Sequence, residues 1–191
     1  MKLLHIDSSI QGAGSASRAV SAAVTERLRA ENPAIEIAYR DLAAQPLPHL
    51  TLDVLADPAA NAELQAFLAA DVVVIGAGLY NFSIPSQLKA WLDRVMIAGQ
   101  TFSYGPEGPV GLVGGKRVIV ALARGGLYGA GAPAAPLEHG ETYLGAAFGF
   151  IGIKPEFIIA EGVALGDEAR TAAVDAARVQ ASNLAASSLA A

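Results

Sequence analysis

The chain of 191 residues contains no cysteine. That excludes disulfides, thiol catalysis and cysteine-based zinc sites. Histidine is scarce, with three in all, so mechanisms that need a histidine base have few candidates. Charged residues make up only 16%, and their balance is −5. Such a chain presents no general field for nucleic acid or for an anionic membrane surface. No apolar run reaches about 18 residues, the length that spans a bilayer. The N-terminus lacks the basic, apolar and small-residue order of a secretion signal, so a soluble cytoplasmic protein is expected. What is abundant is apolar surface, 53% of residues. That suits a large core with covered faces, in one domain spanning 1–191 that buries about 70% of its surface.

The stretch from Asp71 to Gly99 organises the rest. An apolar run, Val72 to Ile75, breaks into a loop, Gly76-Ala77-Gly78-Leu79-Tyr80-Asn81-Phe82. A helix follows from about Ile84 to Ala98, with Leu88, Trp91, Leu92, Val95 and Met96 on one face. Both alternate positions of Val72–Ile75 are apolar, as a strand covered on both sheet faces requires. The same strand-then-helix pattern recurs along the chain. Leu3 to Asp7 is the first strand, followed by a helix capped by Ser17 and stopped by Pro33. Ile35 to Tyr39 is the second strand, Val118 to Ala123 the fourth and Phe157 to Ile159 the fifth. Gln45 to Leu55 reads as an irregular loop, and Asp57-Pro58 as the start of the helix carrying Leu64, Phe67 and Leu68. Gln100 to Gly115 reads as a loop or short hairpin. A helix from about Leu137 to Phe150 precedes the fifth strand, and Asp167 caps a final helix that fades near Leu189. Five strand–helix repeats imply a doubly wound α/β fold with a parallel sheet and helices on both faces. The flavodoxin-like order 2-1-3-4-5 follows, with its switch point beside the first strand.

In that topology the loops after strands one, three and four share a rim. The first holds Ser8, Ser9, Ser15, Ala16 and Ser17 before a helix N-terminus, which favours an anion. Hydroxyl donors suit a terminal phosphate, whereas a pyrophosphate needs glycines for close backbone approach. Gly12-Ala13-Gly14-Ser15-Ala16-Ser17 lacks the third glycine of the dinucleotide fingerprint. The second loop, Leu79 to Phe82, offers flat apolar support and an amide for an isoalloxazine ring. The third, Ala123-Arg124-Gly125-Gly126, allows backbone N–H groups to converge on the flavin O2 and N1 side. Each loop taken alone has a plainer reading: turn serines, core-plugging aromatics, and a tight turn with a surface arginine. Together they point to flavin mononucleotide (FMN). Glu138-His139-Gly140-Glu141 does not place its carboxylates and imidazole on one helix face. It reads as a solvated helix start rather than a metal site.

In these motifs the chain resembles the FMN-dependent NADH-azoreductases among the flavodoxin-like quinone reductases. The likeness rests on Ser8-Ser9-Ile10, Ser15-Ala16-Ser17, Leu79-Tyr80-Asn81-Phe82 and Ala123-Arg124-Gly125-Gly126. It continues through Phe148 to Gly152 and Ala160-Glu161-Gly162. The resemblance implies an FMN phosphate at Ser9 and Ser15 to Ser17, and the ring against Leu79 to Phe82 and Ala123 to Gly126. It implies a homodimer with one FMN per subunit and sites at the interface. It also implies two-electron, ping-pong hydride transfer from NADH or NADPH to a quinone or azo compound. Ala123 stands where such proteins often carry serine, and the segment between Gln45 and Ala70 is shorter than in familiar members.

Because the flavin would carry the hydride, no nucleophile or base is required of the protein. Phe102 and Tyr128 are candidate lid residues over nicotinamide or quinone. Three other classes compete. A serine esterase fits Asp7-Ser8-Ser9 but needs a C-terminal histidine partner, and the last histidine is His139. A phospho-receiver needs an aspartate ending strand three, where Ile75-Gly76-Ala77 stands. A non-catalytic flavin-binding electron carrier shares every feature of the pocket.

Overall fold

The computed structural model describes residues 1–184. Strands β1 (Lys2–Asp7), β2 (Glu36–Asp41), β3 (Val72–Gly78), β6 (Arg117–Arg124) and β7 (Glu156–Glu161) form one parallel sheet in the order β2-β1-β3-β6-β7. Counting only these five strands, the order is the expected 2-1-3-4-5. The two remaining strands, β4 (Phe102–Gly105) and β5 (Gly108–Gly111), make an antiparallel hairpin within the Gly/Pro-rich excursion. The helices are α1 (Ala16–Glu31), α2 (Leu52–Ala56), α3 (Ala62–Ala69), α4 (Ser86–Val95), α5 (Glu141–Phe150) and α6 (Asp167–Ser182).

Strand β3 shows why the sheet is doubly covered. All seven of its residues are buried. Val73 and Ile75 join the core beneath α3, α4 and α5, with Phe67, Trp91 and Phe148. Val72 and Val74 join the opposite core beneath α1 and α6, with Val24, Leu28 and Ala177. Successive side chains point to opposite faces, so an unbroken apolar run is what two covered faces demand. Phe67 and Trp91 meet edge-to-face at 5.8 Å between centroids.

Several boundaries differ from the sequence reading. Ser15, not Ser17, caps α1: its hydroxyl accepts the Arg18 N–H at 3.3 Å. The cap oxygen must reach the third residue inward, and Ser17 lies within the first turn. Asp57-Pro58 opens a 3-10 turn over residues 58–60, and α3 starts afterwards with Asn61 as its cap. The Gln45–Leu55 loop contains the first four residues of α2. Helix α5 begins at Glu141 rather than near Leu137, which closes a separate 3-10 turn. Asp167 is the first residue of α6, and Gly166 precedes it as the cap position. The end anticipated near Leu189 lies outside the described residues.

Candidate active site

The loops after β1, β3 and β6 do meet at the C-terminal edge of the sheet. Ser9 Oγ lies 2.8 Å from Tyr80 Oη, which joins the first loop to the second. The Leu79 N–H donates to the Ala123 carbonyl at 2.8 Å, which joins the second to the third. Close approach explains two glycines in β3. A Cβ on Gly76 would sit 2.2 Å from Asp7 Oδ1, and one on Gly78 would sit 3.0 Å from the Tyr80 ring.

The first loop is held by a polar network. Arg18 donates Nε and Nη2 to the Ser9 carbonyl, at 3.3 and 2.9 Å. Its two terminal nitrogens also engage both carboxylate oxygens of Asp41, at 2.7 and 2.8 Å. The Arg18 bond holds Asp41 down to about 2, against an ordinary 3.8. Behind them Asp7 accepts from Ser21 at 2.8 Å and from Tyr39 at 3.1 Å. Burial raises the Asp7 pKa, yet its hydrogen bonds from His5, Ser21 and Tyr39, with the His5 charge, outweigh this and hold it below the usual range. Tyr39 is pushed up to about 12, first by burial and then by the Asp7 charge. His5, Asp7 and Ser21 are the residue types of a hydrolase triad. Ser21 is fully buried and gives its proton to Asp7, while Ser8 donates to the Gly76 carbonyl. Neither hydroxyl is arranged as a nucleophile.

What this network leaves free matters more. Ser15 Oγ and Ser17 Oγ lie 3.1 Å apart, so one of their two protons bridges them and the other remains available. Ser9 Oγ accepts from the Gln11 N–H, and with Tyr80 donating to it the serine keeps its own proton. The N–H groups of Ala16 and Ser17 have no protein acceptor among the described residues, as the first turn of a helix dictates. Ala16 therefore needs no polar side chain to contribute a donor.

The second loop is a tight turn. Tyr80 and Ser83 exchange both backbone hydrogen bonds, at 2.8 and 3.1 Å. Asn81 and Phe82 between them have φ of 47° and 72°, the type I′ geometry that glycine usually supplies. Phenylalanine in the left-handed region is strained, and such strain gathers at functional sites. The Phe82 ring is 44% exposed. Its carbonyl accepts from His139 N–H at 2.9 Å, which ties the turn to the segment before α5.

In the third loop the carbonyls of Arg124, Gly125 and Gly126 accept from Val163, Ala164 and Gly162. The N–H groups of Gly125 and Gly126 have no protein acceptor among the described residues. Acceptors spent and donors unspent are what a loop built for an electron-rich ligand shows. Tyr128 faces Phe82 across the rim, 6.5 Å between centroids.

Two side chains depart from one reading of the sequence: the plainer reading of Arg124 and the lid reading of Phe102. Arg124 is not a surface residue of the turn but the last residue of β6, 2% exposed. Its guanidinium pairs with Glu141 and lies 3.4 Å from both Glu138 and Glu161. Its Nε has no partner among the described residues. Phe102 follows the far end of α4, packed against Phe150 at 4.8 Å between centroids and 9% exposed. Within this chain it is core rather than lid. The Glu138–Glu141 segment is not a solvated helix start either. Glu138 is 8% exposed and accepts the N–H groups of Gly140, Glu141 and Thr142. Burial raises its pKa, but those N–H groups and the Arg124 charge together hold it below the ordinary range.

Sequence alone does not point to Arg18, Asp41, Glu138 or Glu161 as residues that shape this site. A faint signal existed for two of them. Asp41 and Glu161 each end a strand at the edge where loops meet.

Comparison with known proteins agrees with this geometry. Residues 1–185 match the flavodoxin-like fold family. The FMN-dependent NADH:quinone oxidoreductase of Methylorubrum populi is 58% identical over 190 residues, covering 91% of this chain and 94% of the relative. That of Xanthomonas campestris is 52% identical, covering 94% and 97%. Among solved structures, azoreductase AzrA superposes with a TM-score of 0.85 at 29% identity, covering 96% of this chain and all of that one. The FMN-dependent NADH-azoreductase from Bacillus anthracis, solved in complex with FMN, does so at 0.81 and 29%, covering 95% and 97%. The chain belongs to the flavodoxin-like family, alongside the FMN-dependent NADH:quinone oxidoreductases.

Proposed function

We propose that this protein is an FMN-dependent NAD(P)H oxidoreductase that reduces quinones and azo compounds. The observation that carries the reading is the pattern of unspent donors at one rim: Ala16 and Ser17 at a helix N-terminus, Gly125 and Gly126 at a loop. One set suits a terminal phosphate and the other an electron-rich ring edge. FMN fits both, and the names of the relatives agree with it.

When bound, FMN supplies the site that accepts and returns a hydride. The protein's own residues bind and orient. Ser9, Ser15 and Ser17 offer hydroxyls, and Ala16 and Ser17 offer N–H groups, to the phosphate. The α1 dipole favours its negative charge. Leu79, Tyr80, Asn81 and Phe82 support the ring, and the Asn81 side chain is exposed for an edge contact. Ala123 and Arg124 shape the strand end beneath, and Gly125 and Gly126 donate to the pyrimidine edge. Tyr128, facing Phe82 across the rim, would be the third loop's aromatic contribution to holding the ring. NADH or NADPH and the quinone or azo compound use the same pocket in turn. The chain works as one domain in a cytoplasmic homodimer.

The test is direct. The purified protein should be yellow, or become so with added FMN, and should release FMN identified by mass. Initial rates against NADH at several quinone concentrations should give parallel double-reciprocal lines. A protein colourless in excess FMN would overturn the reading. Flavin uptake without NADH oxidation would instead indicate an electron carrier.

A further inference from the structure

The third loop is anchored in two ways. Three of its carbonyls accept backbone N–H groups from the segment after β7, at 3.0 to 3.1 Å. Its far end is held by a side chain: the Glu161 carboxylate accepts the Tyr128 N–H at 2.6 Å. The same oxygen lies 3.4 Å from Arg124 Nη1. The other carboxylate oxygen lies where a Cβ on Gly129 would come within 3.2 Å, so the glutamate packs closely under the loop. Arg124 also reaches Glu138 and Glu141 at the start of α5. One guanidinium thus joins the end of β7 to the start of α5, and Glu161 passes that constraint to the loop.

We propose that Glu161 is a positioning residue for the reaction. It fixes Tyr128 opposite Phe82. Gly125 and Gly126 keep their own backbone bonds to the segment after β7, but without the carboxylate the Tyr128 end of the loop has several placements, and reacting groups then meet less often in register. The proposal rests on the flavin reading above and adds a residue that acts through Tyr128.

Three variants separate anchoring from charge. Glu161→Gln keeps an acceptor oxygen at the same reach and loses the charge. Glu161→Asp shortens the arm, and Glu161→Ala removes it. In the flavin-free protein, hydrogen exchange at the Tyr128 amide should quicken about tenfold or more in the Ala and Asp variants and stay near wild type in Gln. In the FMN-loaded protein, flavin reduction by NADH should slow by about 10- to 100-fold in Ala, as small misplacements do. FMN affinity should change by less than about threefold, because the phosphate contacts are untouched. Glu161→Gln should restore the rate to near wild type. If Glu161→Ala does not fold, the Asp variant reads the same quantities. Unchanged Tyr128 exchange in the shortened variants, or a Gln variant as slow as Ala, would overturn the proposal. A wild type that takes up no FMN would overturn the flavin reading, while the exchange rates still report whether Glu161 anchors the loop.

Discussion

Arg18 and Arg124 stand at opposite ends of the same rim and are partnered in opposite ways. Arg18 spends every guanidinium nitrogen, on the Ser9 carbonyl, the Tyr39 hydroxyl and both oxygens of Asp41. Its cation meets one carboxylate in a two-pronged bond, with Asp7 a further 3.9 Å contact. Arg124 is more deeply buried, faces three carboxylates, and leaves Nε without a partner among the described residues. The difference teaches how each end holds its loop. At the hydroxyl end a satisfied arginine grips the loop backbone itself. At the aromatic end an arginine outnumbered by acids joins the elements behind the loop and leaves the loop to Glu161. A fork on a carboxylate is geometrically exacting, whereas a buried hub mainly offsets charges that would otherwise repel.

Replacing each arginine is the strongest way to break that comparison. Arg124→Gln should destabilise by about 3 kcal/mol, because the buried Glu138 loses the cation beside it. Arg18→Gln should cost about half as much, since Asp41 keeps solvent and the backbone N–H groups of Ala43 and Ala44. Urea unfolding of the two variants side by side measures both, and equal midpoints would dissolve the contrast.

A smaller effect, of opposite sign, should come from Phe82. Phe82→Gly relieves the left-handed strain and should stabilise by about 1 kcal/mol at most. It also removes the ring facing Tyr128, so reduction by NADH should slow by about tenfold. A calorimetric melt and a stopped-flow trace check the pair. A variant both more stable and equally fast would show that the strain serves no purpose.

The smallest effect is one of pH. The Arg18 bond holds the Asp41 carboxyl down to about 2 in the folded chain, against an ordinary 3.8. A carboxyl depressed on folding contributes stability above its unfolded pKa and loses it as pH falls through the folded one. The wild type should therefore exceed Asp41→Asn above about pH 4, by under about 1 kcal/mol for a pair that solvent still reaches. The gap should close between pH 4 and pH 2. Glu138, depressed as well, works in the same direction at the other end.

The strands, the main helices and the double cover of the sheet are legible from apolar spacing, and the strand order follows from the usual topology of five such repeats. Alternation and the 3.6-residue period are local properties, and Val72 to Ile75, Leu88, Trp91 and Leu92 obey them without help from distant residues. The three rim loops were legible too, because serine before a helix, paired glycines and an aromatic turn each have their own backbone chemistry. The pairing of charges was not. Arg124 looks like a turn residue in one dimension, and only the parallel register Arg124↔Glu161 sets it beside β7. Glu138 looks solvated until the fold buries it against Arg124 and its own helix start. His5, Asp7 and Ser21 are unremarkable in sequence and adjacent in space. Apolar pattern specifies which face is covered, since burial depends on each residue's own chemistry. Partnership between charges depends on distance, and distance across 14 to 37 residues of chain exists only once the sheet has assembled.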